Sequence, residues 1–121
     1  MIKKKKLKSI GYLKRKADTL FSIFIRNREK YCYICGSVKN LQAGHFVSRS
    51  YLFLRYDEDN VHTCCLACNV FKNGNMALYA LRIVNQYGVY KLREFERNKR
   101  KQVVNTRLFL EGIIKRYGNK L

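Results

Sequence analysis

Apolar residues recur at three- and four-residue steps through residues 9–30, where Ile10, Leu13, Ala17, Leu20, Phe21 and Phe24 fall on one face of a predicted helix. Lys14, Arg15, Lys16, Arg26 and Arg28 lie largely off that face, which leaves a basic side for solvent or phosphate. The period changes to two at 41–47, so Leu41, Ala43, His45 and Val47 share one side of a predicted strand. Residues 48–59 read as a loop holding Arg49, Arg55, Asp57, Glu58 and Asp59. A second short strand is expected over 60–64, with Asn60 and His62 on one face and Val61 and Thr63 on the other. A helix follows over about 65–72, which Gly74 is placed to end. Another spans 76–87, with Ala80, Ile83, Val84 and Tyr87 inward and Gly88 as its stop. Residues 89–121 read as helical in one or two pieces. The last piece carries Val103, Leu110, Ile113, Ile114 and Tyr117 as its stripe. Arg93, Arg97, Lys99, Arg100 and Lys101 cluster between the stripes. The expected class is therefore α+β, mostly helical.

At 121 residues, with no proline and no Ser/Gly-rich tract, the chain reads as one domain, 1–121. Its parts are a basic tail (1–8), a helix (9–30), a central two-strand and helix unit (31–74) and C-terminal helices (75–121). That length is near the low end for a self-sufficient core, so a metal staple would add stability. The chain carries 26 Lys plus Arg against 8 Asp plus Glu, a net charge of +18. Such an excess predicts a polyanionic partner, with nucleic acid favoured over an acidic membrane. Charge alone does not separate an enzyme from a basic binding protein. The lysine-rich start has no apolar run behind it, and no stretch approaches a membrane span, so a cytoplasmic protein without a secretory leader is expected.

Cys32, Cys35, Cys64, Cys65 and Cys68 give an odd count, which points to metal rather than disulfides. Cys32/Cys35 and Cys65/Cys68 form two Cys-x-x-Cys pairs. Gly36 follows the first pair as a knuckle glycine that lets backbone amides turn toward the sulfurs. Four cysteines predict a closed, structural Zn2+ site with no open position for water. Cys64 competes with Cys65, but only Cys65 has the two-residue spacing to Cys68. On a strand Cys64 points the other way, as a small buried residue.

Between the pairs stand His45, Asn60, His62 and Asn69. A histidine with its ordinary pKa of about 6.5 can take and release a proton near neutrality. A hard divalent cation nearby would offset charge on a reacting phosphate. Arg49 and Lys72 would add fixed positive charge. The plain reading of His45 is a buried histidine under the zinc knuckle.

Two strands and a helix bearing His45, Asn60 and Asn69 in that order resemble the HNH, or His-Me finger, ββα-metal nucleases. A closer resemblance runs over residues 12–90. Ala43-Gly44-His45-Phe46, Leu54-Arg55-Tyr56-Asp57, Asp59-Asn60-Val61-His62, Cys65-Leu66-Ala67-Cys68-Asn69 and Lys72-x-Gly74-Asn75 carry it. Lys14-Arg15-Lys16-Ala17-Asp18, Phe21-Ser22 and Tyr31-Cys32 extend it toward the N-terminus. These motifs are similar to those of the phage NinG (lambda Rap) recombination endonuclease family. The resemblance implies a zinc-stapled ββα core flanked by amphipathic helices, and a structure-specific DNA endonuclease that cleaves Holliday junctions and D-loops.

In such an enzyme His45 would activate water, Asn60 would hold the histidine's loop, and Asn69 would help hold one catalytic Mg2+ or Mn2+. Lys14, Arg15, Arg49, Arg55 and Lys72 would contact DNA. Gly44 stands where many HNH nucleases carry a metal-binding aspartate. His62 is then the substitute ligand or phosphate contact, and a second metal set of His45, His62 and Asn69 is expected. Asp57 and Asp59 are further acidic candidates. The C-terminal stripe permits a homodimer, and a phage-encoded protein would act in the host cytoplasm. Two other readings remain: a non-catalytic zinc module that binds nucleic acid, and an HNH nuclease acting on unbranched duplex.

Overall fold

The computed structural model describes residues 6–119; Lys3, Lys4 and Lys5 of the basic tail, and Lys120 and Leu121, lie outside them. The first helix, α1, spans Ile10–Arg28. Ser9 caps it, its hydroxyl accepting from the Tyr12 N–H at 3.1 Å. Arg26 and Arg28 occupy the last turn, where cations suit the negative end of the helix. The stripe Leu13, Ala17, Phe21 is buried as expected, and Ile25 extends it by one more turn. Chain direction changes at Glu29, whose backbone is extended.

Two strands form an antiparallel hairpin, β1 (Leu41–His45) and β2 (Val61–Cys65). Its register runs from Leu41 opposite Cys65 to His45 opposite Val61. The strand expected over 60–64 thus begins one residue later. All five β2 residues are buried, because both faces of the hairpin are covered. Val61 faces a core built by α1 and a last helix, with Leu13, Phe21, Leu110 and Tyr117. Cys64 faces a second core that holds Ile34, Tyr79, Ile83 and Phe95.

The segment between the strands is not wholly loop, since α2 forms over Leu52–Arg55. After β2 the expected α-helix is instead a five-residue π-helical turn, Ala67–Phe71. The Lys72 N–H reaches back five residues to the Ala67 carbonyl at 2.9 Å. Three consecutive left-handed residues stop it: Asn73 (φ 49°), Gly74 (φ 86°) and Asn75 (φ 49°).

Helix α3 occupies Met76–Tyr87 as expected, but Tyr79 and Ile83 are its buried residues, with Ala80, Val84 and Tyr87 only half-buried. The remaining chain divides into α4 (Tyr90–Asn98) and α5 (Thr106–Gly118), the latter capped by Asn105 accepting from the Leu108 N–H at 3.0 Å. Leu110 and Tyr117 are buried against α1, with the Phe21 and Tyr117 ring centroids 4.9 Å apart. Ile113 and Ile114 pack on the same core, and Val103 lies ahead of α5. The C-terminal stripe therefore packs against α1 within the chain. No helix among the described residues is long and apolar enough to cross a membrane.

Candidate functional site

The four paired cysteines come together. Sγ atoms of Cys32, Cys35, Cys65 and Cys68 lie within 4.8 Å of one another, with Cys35 and Cys65 at 3.6 Å. Tetrahedral zinc with bonds of about 2.3 Å needs sulfurs about 3.8 Å apart, so the set fits. Gly36 (φ 83°) makes the first knuckle, and the Cys35 N–H donates to Cys32 Sγ at 3.4 Å. Burial pushes the Cys32 thiol up, but backbone donors outweigh it and hold it at about 7. Burial first, then its thiol neighbours, push Cys68 up to about 12. Sulfurs this close resist joint ionisation unless a cation sits among them. Cys64 is buried and stays outside the cluster, as its strand position implied.

His45 sits at the end of β1, half-buried, on the face of the hairpin that carries Val61. Its Nε2 lies 2.9 Å from the Arg55 carbonyl. A carbonyl only accepts, so Nε2 carries the proton and Nδ1 keeps its lone pair in the neutral ring. Burial, and then the Arg49 and Arg55 charges, hold its pKa below the usual imidazole value despite that bond. The ring is thus a neutral base at pH 7.

Two devices fix the carbonyl that orients it. Asn60 is 0% exposed. Its Oδ1 accepts from the Val47 N–H at 2.7 Å, and its Nδ2 donates to the Val47 and Leu54 carbonyls, both at 3.1 Å. Asp18 on α1 clamps the other side. It accepts from Arg55 at 2.9 and 2.6 Å, from Arg49 at 2.8 Å and from the Tyr56 hydroxyl at 2.8 Å. Burial raises the Asp18 pKa, but these donors and the two arginine charges outweigh it and leave it lowered.

Asn69 faces the opposite side of the hairpin, where its Nδ2 donates to Gln42 Oε1 at 2.7 Å. Its Oδ1 lies 3.1 Å from the point a Cβ on Gly44 would occupy. That same point is 2.5 Å from Cys64 Sγ and 3.0 Å from Cys64 Cβ. The carboxylate missing at residue 44 has no room: Cys64 fills it.

His62 does not join His45, which corrects its expected part in the site. It pairs with Gly44 across the hairpin while His45 pairs with Val61, so the two rings lie on opposite faces. It is 0% exposed, stacked on Tyr33 at 3.8 Å, with Nδ1 2.6 Å from Glu29 and Nε2 3.0 Å from the Asp59 carbonyl. Both ring nitrogens are occupied, and His45, His62 and Asn69 cannot share an ion. Asp57 is a turn residue, its Oδ1 accepting from the Asp59 and Asn60 N–H groups. Asp59 pairs with Lys91 at 2.8 Å. Among the described residues, the four cysteines are the one group of three or more His, Cys, Asp or Glu close enough to hold an ion.

The expected DNA contacts divide. Lys72 and Arg15 are exposed, Lys14 is half-buried, and Arg49 is 61% exposed at its side chain although paired with Asp18. Arg55 is only 13% exposed and held bidentate by Asp18, so it acts as a brace rather than a free phosphate contact. Sequence reasoning missed the roles of Asp18, Glu29, Tyr33 and Tyr79. Tyr79 donates to the Gly44 carbonyl at 2.8 Å. One signal was present: Glu29 ends a helix, where its charge opposes the dipole, so a tertiary partner was to be expected.

The family model described as Bacteriophage Lambda NinG protein matches residues 1–121. Protein ninG of Escherichia phage 933W is 34% identical over 102 residues, covering 80% of this chain and 51% of that protein. Protein ninG of Salmonella phage P22 is 33% identical over 100 residues (78% and 49%), and that of Escherichia phage lambda 32% over 102 residues (80% and 50%). The chain spans about half the length of these relatives. No solved structure matches it at a significant level.

Proposed function

The chain belongs to the NinG family, and on that premise we propose that it is a metal-dependent endonuclease for branched DNA built on an HNH-like ββα core. The observation that carries this reading is the held state of His45. Its Nε2–H donates to the Arg55 carbonyl, its pKa is lowered, and its Nδ1 is left as base. In this reading Nδ1 takes a proton from water as the water attacks a phosphodiester, and Arg55 O steadies the imidazolium that forms. Asn60 and Asp18 act at one remove, by keeping that carbonyl in place. Arg49 offers positive charge on the same side. A divalent ion at the phosphate would be completed by water and phosphate oxygens, as Mg2+ accepts, and would offset charge on the phosphate, with Asn69 left out of its shell because it lies on the other face of the hairpin from His45. The Zn2+ of the cysteine cluster would be structural.

A synthetic four-way junction incubated with Mg2+ or Mn2+ tests the reading, with His45→Ala beside it. Cleavage by the parent protein and none by the variant is expected; equal cleavage by both sinks the mechanism. A linear duplex at matched salt separates branch selectivity from general duplex cutting. One observation favours a second reading, a non-catalytic zinc module: Cys64 fills the space of the absent carboxylate at residue 44. That reading predicts salt-dependent binding with no metal-dependent scission.

A further inference from the structure

We propose that the turn after α4, together with Tyr51 and Phe53 of the loop carrying α2, forms a phosphate-backbone subsite for the DNA strand engaged at His45. The inference rests on the DNA-binding part of the function proposed above. A cavity of about 480 Å3 opens between Ser50, Tyr51, Lys99, Arg100, Lys101 and Thr106, and no acidic side chain lines it. Three consecutive cations are arranged by two aromatic rings. Lys99 Nζ and the Arg100 guanidinium stand 5.6 and 5.8 Å from the Tyr51 centroid, and Lys101 Nζ stands 5.7 Å from that of Phe53. Each ring holds a long side chain that would otherwise wander, so the ordering cost of a bound anion is partly met before it arrives. Lys99 is paired with Glu96 at 2.9 Å. Arg100 and Lys101 have no ion-pair partner among the described residues, so their charge is available to an outside anion.

Position joins this cavity to the site. Tyr51 immediately precedes α2, and Arg55 at its end supplies the carbonyl that orients His45. Four residues of helix separate Tyr51 from Arg55 by about 6 Å, a distance of one or two nucleotides along a strand. The cations surround a concavity, which suits a flexible phosphodiester strand better than the broad plane of an acidic membrane.

The test is a salt titration of binding to a labelled four-way junction, using the zinc-saturated chain. Arg100→Gln/Lys101→Gln is compared with Lys39→Gln/Lys115→Gln, which removes the same charge from exposed positions elsewhere. If both cations meet phosphates, the log–log salt slope falls by about 1.8, and affinity near 0.1 M salt falls roughly 60-fold. The control pair should change both far less. Equal slopes for the two doubles overturn the subsite, and so does a loss confined to phosphatidylserine vesicles with DNA binding intact. A parent protein that binds the junction without cutting it leaves the subsite standing, provided the slope change is seen, and removes only the endonuclease reading. Zinc content and circular dichroism of each variant confirm that it is folded.

Discussion

Replacing Gly44 with alanine adds one methyl group where the hairpin has no space for it. The backbone at Gly44 is not left-handed, so glycine is needed there for close approach rather than for conformation. The new carbon would lie 2.5 Å from Cys64 Sγ, against a comfortable separation of about 3.5–4.0 Å. Rotating the thiol relieves that contact but not the 3.0 Å approach to Cys64 Cβ, which requires the strands themselves to part. Overpacking of this kind costs about 1–3 kcal/mol. Removing a glycine returns roughly 0.4–1 kcal/mol through the unfolded chain, so a net loss of about 1–2 kcal/mol is expected. For 121 residues the unfolding entropy is about 0.25 kcal/mol/K, which converts the loss to a Tm lower by about 4–8 °C.

The assay is thermal melting of the zinc-saturated protein, run as a double-mutant cycle with Cys64→Ala. Alanine at 64 removes the sulfur and keeps Cβ, so the cost of Gly44→Ala should fall by about 1 kcal/mol in that background. Gly44→Asp should be less stable than Gly44→Ala and should not raise activity, because its carboxyl extends into the same filled space. A Gly44→Ala melt within 1 °C of the parent, read against that expected drop of about 4–8 °C, would refute the reasoning. An identical loss in both backgrounds would do the same.

Chelation of the cysteine-bound metal should unfold the 31–74 region and lower Tm by well over 10 °C, because a structural zinc site carries on the order of 10 kcal/mol of binding free energy; one Zn2+ per chain by mass spectrometry and reversal on adding zinc back check it. Asn60→Ala leaves the buried Val47 N–H without its acceptor and should cost about 2–4 kcal/mol. Under the proposed function it should also lower kcat more than junction affinity, since the His45 loop loses its tie while the basic surface remains. Asp18 has a lowered pKa in the folded state, so its stabilisation is full above the ordinary carboxylate value and is lost as pH falls through the folded value. The stability gap between the parent and Asp18→Asn should therefore be widest near pH 7 and close below about pH 4, read from denaturation midpoints across that range. Because His45 has a lowered pKa, cleavage should hold its neutral-pH rate into mildly acidic solution and fall only below about pH 6.5.

Local pattern was enough for much of this chain. The helical period placed α1 and α3, two-residue alternation placed β1, and the spacing of Cys32, Cys35, Cys65 and Cys68 picked out the metal cluster and set Cys64 aside. Each is a short-range property: a period, or two ligands on one tight turn. Partners distant in sequence were beyond that reach. Nothing local says that Asp18 meets Arg55 or that Glu29 meets His62, pairs 37 and 33 residues apart. Face assignment failed for the same reason. Asn60 and His62 share a parity, but β2 starts at Val61, and only the register against β1 puts His62 opposite Gly44 and His45 opposite Val61. The sequence by itself picked out the polar residues between the two cysteine pairs and the four cysteines that could hold a metal. Tertiary structure decided which side of the hairpin each one serves, because a two-stranded sheet buried on both faces offers no polar alternation from which that side could be read.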